Sequence, residues 1–215
     1  MIKKIILLMG PPGSGKGTQG KILAEELMLP HVSTGDIFRK MAKTDTEESK
    51  LLSEYMISGK LVPSELVNRI VRKVLLSGDY KDGCILDGYP RNLKQAEYFI
   101  ENIDTEISSV FFDVADEIII KRIMGRYSCQ SCGVIYNHYF DNPKIDGICD
   151  HCGSSELTSR SDDDEKTVIA RIEEYKKETL PLVEYYKRKG RFFTVNAGGS
   201  KEEVIKEIAL ISKRV

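Results

Sequence analysis

Three groups of residues in this chain carry side chains that could do chemistry; the spacing of the first two is itself a signal, whereas the third is singled out only by the motifs described below. The first is the run Gly10-Pro11-Pro12-Gly13-Ser14-Gly15-Lys16-Gly17-Thr18. Glycines let consecutive backbone N–H groups turn inward around a phosphate, a following helix adds the positive end of its dipole, and Lys16 supplies a movable point charge. Thr18 is placed to reach the shell of a magnesium ion. The general phosphate-loop pattern puts Ser or Thr directly after the lysine, whereas here Gly17 intervenes. The second group is Cys129, Cys132, Cys149 and Cys152, two CxxC pairs 16 residues apart, each followed by glycine. Four thiolates at this spacing can close a tetrahedron around zinc, and two disulfides are the alternative. Cys84 sits inside an apolar run and reads as a small buried residue. His138 and His151 lie near the cluster, but four cysteines already fill a tetrahedral site. The third group is Arg39, Asp87, Arg91, Gln95, Arg122, Arg126, Arg160 and Arg171. An arginine can grip a phosphate through two parallel N–H bonds, a carboxylate at a strand end beside a phosphate loop can hold magnesium through water, and a glutamine offers a donor and an acceptor to a base edge. Most surface arginines are merely solvated, so this group acquires meaning from its placement.

Around these groups, short apolar runs alternate with longer helical periodicities. That alternation predicts an α/β fold, a five-stranded parallel sheet flanked by helices. The strands are expected at Lys4 to Met9, His31 to Ser33, Cys84 to Asp87, Ser109 to Asp113 and Phe192 to Val195. Helices are expected over Gly15 to Leu27, Ser64 to Leu76, Asn92 to Asn102 and Asp116 to Met124, the last with Asp116 as its cap. A long charged helix from about Asp164 is interrupted near Pro181, and Lys201 to Lys213 closes the chain. Two segments break the rhythm. Thr34 to Val62 is polar, helical and longer than a crossover requires. Gly125 to Asp163 turns to cysteines, glycines, tyrosines and short turns without helical period, as expected of a subdomain held by something other than a core.

At 215 residues and 41% apolar content the chain can form one main core. Its 32 Lys and Arg against 33 Asp and Glu leave a formal charge of −1, so no global positive field recruits nucleic acid or an anionic membrane. Phosphate binding must be local. The apolar run after Lys3 and Lys4 ends at Gly10-Pro11-Pro12 and reads as a buried strand, not a leader. No stretch approaches the roughly 20 apolar residues of a membrane helix, so a soluble chain is expected. Paired CxxC thiols suit a reducing cytoplasm.

The loop GPPGSGKGTQ, with Gly-Thr after its lysine, resembles that of the adenylate kinase and nucleoside monophosphate kinase family. Further motifs occur in the family's order: Ser33-Thr34-Gly35-Asp36 with Arg39 three residues on, Gly59-Lys60-Leu61-Val62, Asp87-Gly88-Tyr89-Pro90-Arg91 with Gln95, and arginines on both flanks of the cysteine segment. The cysteine segment itself resembles the long, zinc-bearing lid of bacterial adenylate kinases. This resemblance implies a P-loop kinase fold whose core is residues 1–33, 63–124 and 164–215, with an AMP-binding excursion at 34–62 and a lid at 125–163. It implies reversible transfer of the terminal phosphoryl group of Mg-ATP to AMP. Carried over by motif, Gly13, Ser14, Gly15, Lys16, Gly17, Thr18, Arg122, Arg126 and Tyr136 bind ATP, while Thr34, Arg39, Lys60, Leu61, Val62, Gly88, Arg91, Gln95, Arg160 and Arg171 bind AMP. Lys16, Asp87, Arg91, Arg126, Arg160 and Arg171 carry catalysis, with Mg2+ accompanying ATP and a structural Zn2+ on the four cysteines. Asp162 and Asp163 match an acidic pair at the lid hinge. Tyr127 stands where some relatives have a second arginine, so that role does not transfer. A cytoplasmic monomer with no nucleic-acid or membrane partner is expected. The rivals are a kinase preferring GTP as donor, or UMP or CMP as acceptor, and a zinc-ribbon P-loop ATPase acting as a switch or nucleic-acid partner; the family's long lid argues against the pyrimidine kinases, and one lysine without arginine from Tyr127 to Ser159 makes a poor nucleic-acid surface.

Overall fold

Five consecutive apolar residues, Ile5 to Met9, make the first strand, β1 (Lys4–Met9), one that must be covered on both faces. The computed structural model, which describes residues 2–77, 80–160 and 162–215, does this with helices. The five strands are β1, β2 (His31–Ser33), β3 (Cys84–Asp87), β4 (Glu106–Asp113) and the strand Phe192–Asn196, here β8; they lie in the order β2-β3-β1-β4-β8 and every neighbouring pair is parallel. Side chains alternate across β1. Ile5, Leu7 and Met9 join Val32, Leu86 and Phe99 in one core, while Ile6 and Leu8 join Leu23, Ile85, Phe112 and Ile208 in the other.

The connecting helices are α1 (Lys16–Leu27), α2 (Thr34–Met41), α3 (Glu47–Ser58), α4 (Ser64–Ser77), α5 (Leu93–Asn102), α6 (Asp116–Met124), α7 (Glu165–Glu174), α8 (Pro181–Lys189) and α9 (Lys201–Ser212). Helices α2 and α3 fill the long polar segment, and side chains start both: Ser33 accepts from the Asp36 N–H, and Thr46 and Ser49 form a reciprocal capping box. No described helix is long and apolar enough to cross a membrane.

Four sequence expectations need correction. Strand β4 starts at Glu106, three residues before Ser109, because Lys4 and Ile5 pair with Glu106 and Ile107 although that stretch is polar and exposed at its start. Asp116 is not the cap of α6: Ala115 occupies that position without a side-chain bond, and Asp116 is the first helical residue, paired with Lys176. The long charged helix ends at Glu174 and passes through a π-helical turn, Tyr175–Thr179, before α8. The cysteine segment contains a sheet of its own, β5 (Arg126–Cys129), β6 (Ile135–Asn137) and β7 (Leu157–Thr158), in the antiparallel order β6-β5-β7. Strands of four, three and two residues are too short to show a period.

Candidate active site

The carboxyl ends of β1 and β3 face a common crevice, the place where parallel sheets bind ligands. From β1 the chain enters the glycine loop. Gly13 and Gly15 have φ of 74° and 86°, conformations that L side chains rarely adopt. A Cβ on Gly13 would also lie 2.7 Å from the side chain of Ile123, so α6 packs directly against the loop. Gly15 is the last residue before α1, whose first residue is Lys16. The Lys16 Nζ donates to the Pro11 carbonyl at 3.0 Å, folded back over its own loop. Desolvation pulls its pKa down to about 8; Asp87 opposes this, and Arg91, Arg171 and Arg126 reinforce it. Thr18 stays exposed at the crevice.

Gly17 answers the departure from the general loop pattern. A Cβ there would lie 3.2 Å from Asp87 Oδ2, a contact tighter than ordinary packing. The absent side chain therefore leaves room for the carboxylate at the end of β3, which is buried to 8% exposure. Any side chain at position 17 would crowd that carboxylate. One buried carboxylate next to a phosphate loop suits magnesium, which keeps most of its waters and shares phosphate oxygens.

After Asp87 the strap Gly88 to Gln95 is tied down at several atoms. Arg91 Nε donates to the Gly88 carbonyl at 2.8 Å, the Arg91 N–H donates to Gln95 Oε1 at 2.8 Å, and Asn92 caps α5 by accepting from the Gln95 N–H at 2.9 Å. Thr34 turns away from the crevice: it is buried, and its hydroxyl is shared between the Asp87 and Gly88 carbonyls at 3.1 and 2.9 Å. Through these bonds it braces the strap that carries Arg91.

A cleft opens beside the strap. It brings together Arg39, Lys60, Leu61, Val62, Gly88, Arg91, Gln95 and Arg171, residues up to 132 positions apart in the chain. Its apolar wall adds Phe38, Tyr55, Met56 and Val67, which sequence reasoning missed; Tyr55 and Met56 lie just before Gly59-Lys60, and nothing in their types distinguishes cleft wall from core. The cations are held by acids. Arg126 makes two bonds to Asp163, one of them 2.8 Å from Nε, while Arg171 contacts Asp162 at 3.1 Å and Asp163 at 3.5 Å, and Arg39 pairs with Asp36 at 2.6 Å. Desolvation draws Arg160 and Arg91 down to about 10, with neighbouring guanidinium groups adding to the effect. Such a concentration of mutually repelling cations is relieved by a polyanion. Arg122 reaches from α6 to the Ser14 carbonyl at 3.5 Å and lies over the Phe140 ring, linking the loop to the cysteine segment.

In that segment the four Sγ atoms lie within 4.8 Å of one another, with Cys129–Cys152 and Cys132–Cys149 each at 3.6 Å. A zinc tetrahedron with bonds of about 2.3 Å requires sulfur separations of about 3.8 Å, so the cluster fits that ion, and the distances exclude disulfides. Gly133 and Gly153, φ 74° and 73°, turn each CxxC back so that their N–H groups bond the Cys129 and Cys149 carbonyls at 2.9 and 2.8 Å. The Tyr136 side chain packs into this cluster: it is buried, its hydroxyl donates to Cys149 Sγ at 3.5 Å, and it accepts from the Asp150 N–H at 2.7 Å. Its hydroxyl bond, ahead of other causes, holds the Cys149 thiol down to about 6. Tyr127 stacks on His138 at 4.3 Å, so the residue at the arginine position and the nearby histidine both serve packing.

A parallel sheet with a glycine loop at β1, an acidic β3 end and converging arginines defines a P-loop nucleotide phosphotransferase. The family model for adenylate kinase matches residues 8–191. Adenylate kinases of Rickettsia africae and Rickettsia conorii are 52% and 51% identical over 209 residues, 97% of this chain and 99% of theirs, and that of Rickettsia prowazekii is 50% identical over 210. The chain belongs to the adenylate kinase family.

Proposed function

We propose that the chain transfers the terminal phosphoryl group of ATP reversibly to AMP, giving two ADP, with Lys16, Asp87, Arg91, Arg126, Arg160 and Arg171 as the residues that act on the phosphates. The observation that carries this reading is the gathering of Arg91, Arg126 and Arg171 around Lys16, with Arg160 near Arg126 and a cleft lined by Arg91 and Arg171 alongside. Phosphoryl transfer needs positioning and charge neutralisation more than covalent chemistry. The acceptor phosphate is already an anionic nucleophile at neutral pH, so no general base is required. The loop Gly13 to Thr18, with Arg122 and Arg126, holds the donor phosphates; Arg39, Lys60 to Val62, Gly88, Arg91 and Gln95 hold AMP. Asp87 would hold magnesium beside the loop, and the ion would supply charge neutralisation to the phosphates. Residues 34–62 act as the acceptor excursion and 125–163 as a lid over the donor. Zinc on Cys129, Cys132, Cys149 and Cys152 is structural, since four thiolates leave no open position. The paired CxxC motifs support a cytoplasmic location, and the chain acts as a monomer in this reading.

A coupled assay crossing ATP and GTP with AMP, GMP, UMP and CMP tests the reading. ADP formation is expected with ATP and AMP together and little with either alone; ATP hydrolysis to free phosphate without an acceptor would replace this function with that of a switch.

A further inference from the structure

The π-turn Tyr175–Thr179 closes with a bond from the Leu180 N–H to the Tyr175 carbonyl at 2.8 Å, five residues back. Its cause is local. Pro181, the first residue of α8, has no N–H, and in a straight α-helix its ring would strike the Lys177 carbonyl four residues earlier. Widening the preceding turn by one residue removes that clash, and it rotates α8 by about 100° relative to an uninterrupted helix.

The residue that ends the turn makes use of that rotation. Thr179 Oγ1 donates to the Arg91 carbonyl at 2.7 Å, across 88 residues of sequence. The Arg91 backbone is thereby held on both sides, its N–H by Gln95 and its carbonyl by Thr179. Arg171, one helical turn before the π-turn on α7, lines the same cleft as Arg91. One helix thus sets both arginines, presenting Arg171 directly and fixing Arg91 through Thr179. We infer that Thr179 is a positioning residue for Arg91, and that the π-turn is the feature that aims it; this rests on the proposed role of Arg91 in gripping the acceptor phosphate.

The test uses Thr179→Val, which keeps the shape and removes the hydroxyl, and Thr179→Ser, which restores it. Steady-state kinetics would vary AMP at saturating ATP and the reverse, with AMP affinity read by calorimetry and Tm recorded for each variant. The expected result is a fall of about three- to tenfold in kcat/KM for AMP, the range one partly exposed hydrogen bond supports, with KM for ATP unchanged and the serine variant near wild type. A valine variant equal to wild type, a serine variant no better than valine, or equal losses for both nucleotides that track a lowered Tm would each overturn it. Wild-type protein that binds no AMP would instead refute the proposed function, so the two failures are distinguishable.

Discussion

At the residue scale, Lys16 is the group whose chemistry is most exposed to test. Its ammonium is half-buried among Arg91, Arg126 and Arg171, and the resulting pKa of about 8 belongs to the nucleotide-free protein. Below that pH the lysine is charged and can meet the donor phosphates; above it the free protein loses the charge. The pH dependence of kcat/KM reports the free enzyme and that of kcat the bound complex. We therefore expect kcat/KM for ATP to decline as pH rises through about 8, while the matching limb of kcat moves to higher pH because bound phosphate stabilises the ammonium. Lys16→Ala should lose that limb and about 10²- to 10³-fold in kcat/KM while still folding. A flat kcat/KM profile from pH 7 to 10 in the wild type would overturn the lowered pKa, and near-normal turnover in Lys16→Ala would show that Lys16 does not meet the donor. The lysine was legible because loop, strand and helix occur in the required order. Gly17 was legible only as a departure: its reason, the Asp87 carboxylate 3.2 Å from where its Cβ would stand, lies 70 residues away.

At the scale of elements, α7 receives both mobile candidates. Thr167 Oγ1 donates to the Ile57 carbonyl at 2.9 Å and the Leu61 N–H donates to Glu174 Oε1 at 3.2 Å, which seats the end of the 34–62 segment on this helix. Asp162 and Asp163, just ahead of α7, hold Arg171 and Arg126. Closure of either segment over a nucleotide exchanges such contacts for phosphate contacts. We expect AMP alone to protect amides in 34–62 and an ATP analogue alone to protect those in 125–163, as measured by hydrogen exchange. Identical protection by both ligands would refute separate closure. The helix periods of α1, α4, α5 and α6 were readable in sequence, whereas the one cap expected there, Asp116, was not the cap found. The π-turn was not readable: Pro181 announced an interruption, but whether a helix kinks, ends or widens depends on what packs beside it.

Across the whole molecule, stability is divided unevenly. The two faces of the main sheet each carry a large apolar core, whereas the cysteine segment buries little beyond Tyr127, Cys129, Tyr136 and Cys149. Metal binding can supply the folding energy that so small a cluster lacks. Chelation, or Cys149→Ser, should raise hydrogen exchange in 126–158 first and lower Tm by about 5 °C or more, given about 2–4 °C per kcal/mol for a chain of this size. Turnover well below the new melting point should largely persist. Loss of activity at low temperature with the segment still protected from exchange would make the metal catalytic.

Features that depend on neighbours along the chain were written in the order of its residues. Apolar runs specify covered strands, glycines specify the phosphate loop, and the paired CxxC motifs specify a four-sulfur site, because each is a local requirement of backbone or coordination geometry. Which side chains face one another was settled in three dimensions. The fold turned Thr34 onto the carbonyls of the strap, drew Tyr136 into the cysteine cluster, supplied Phe38, Tyr55 and Met56 to the cleft wall, and brought Thr179 to Arg91. Those outcomes depend on packing between distant elements, where a residue's type permits several partners and the fold leaves room for one.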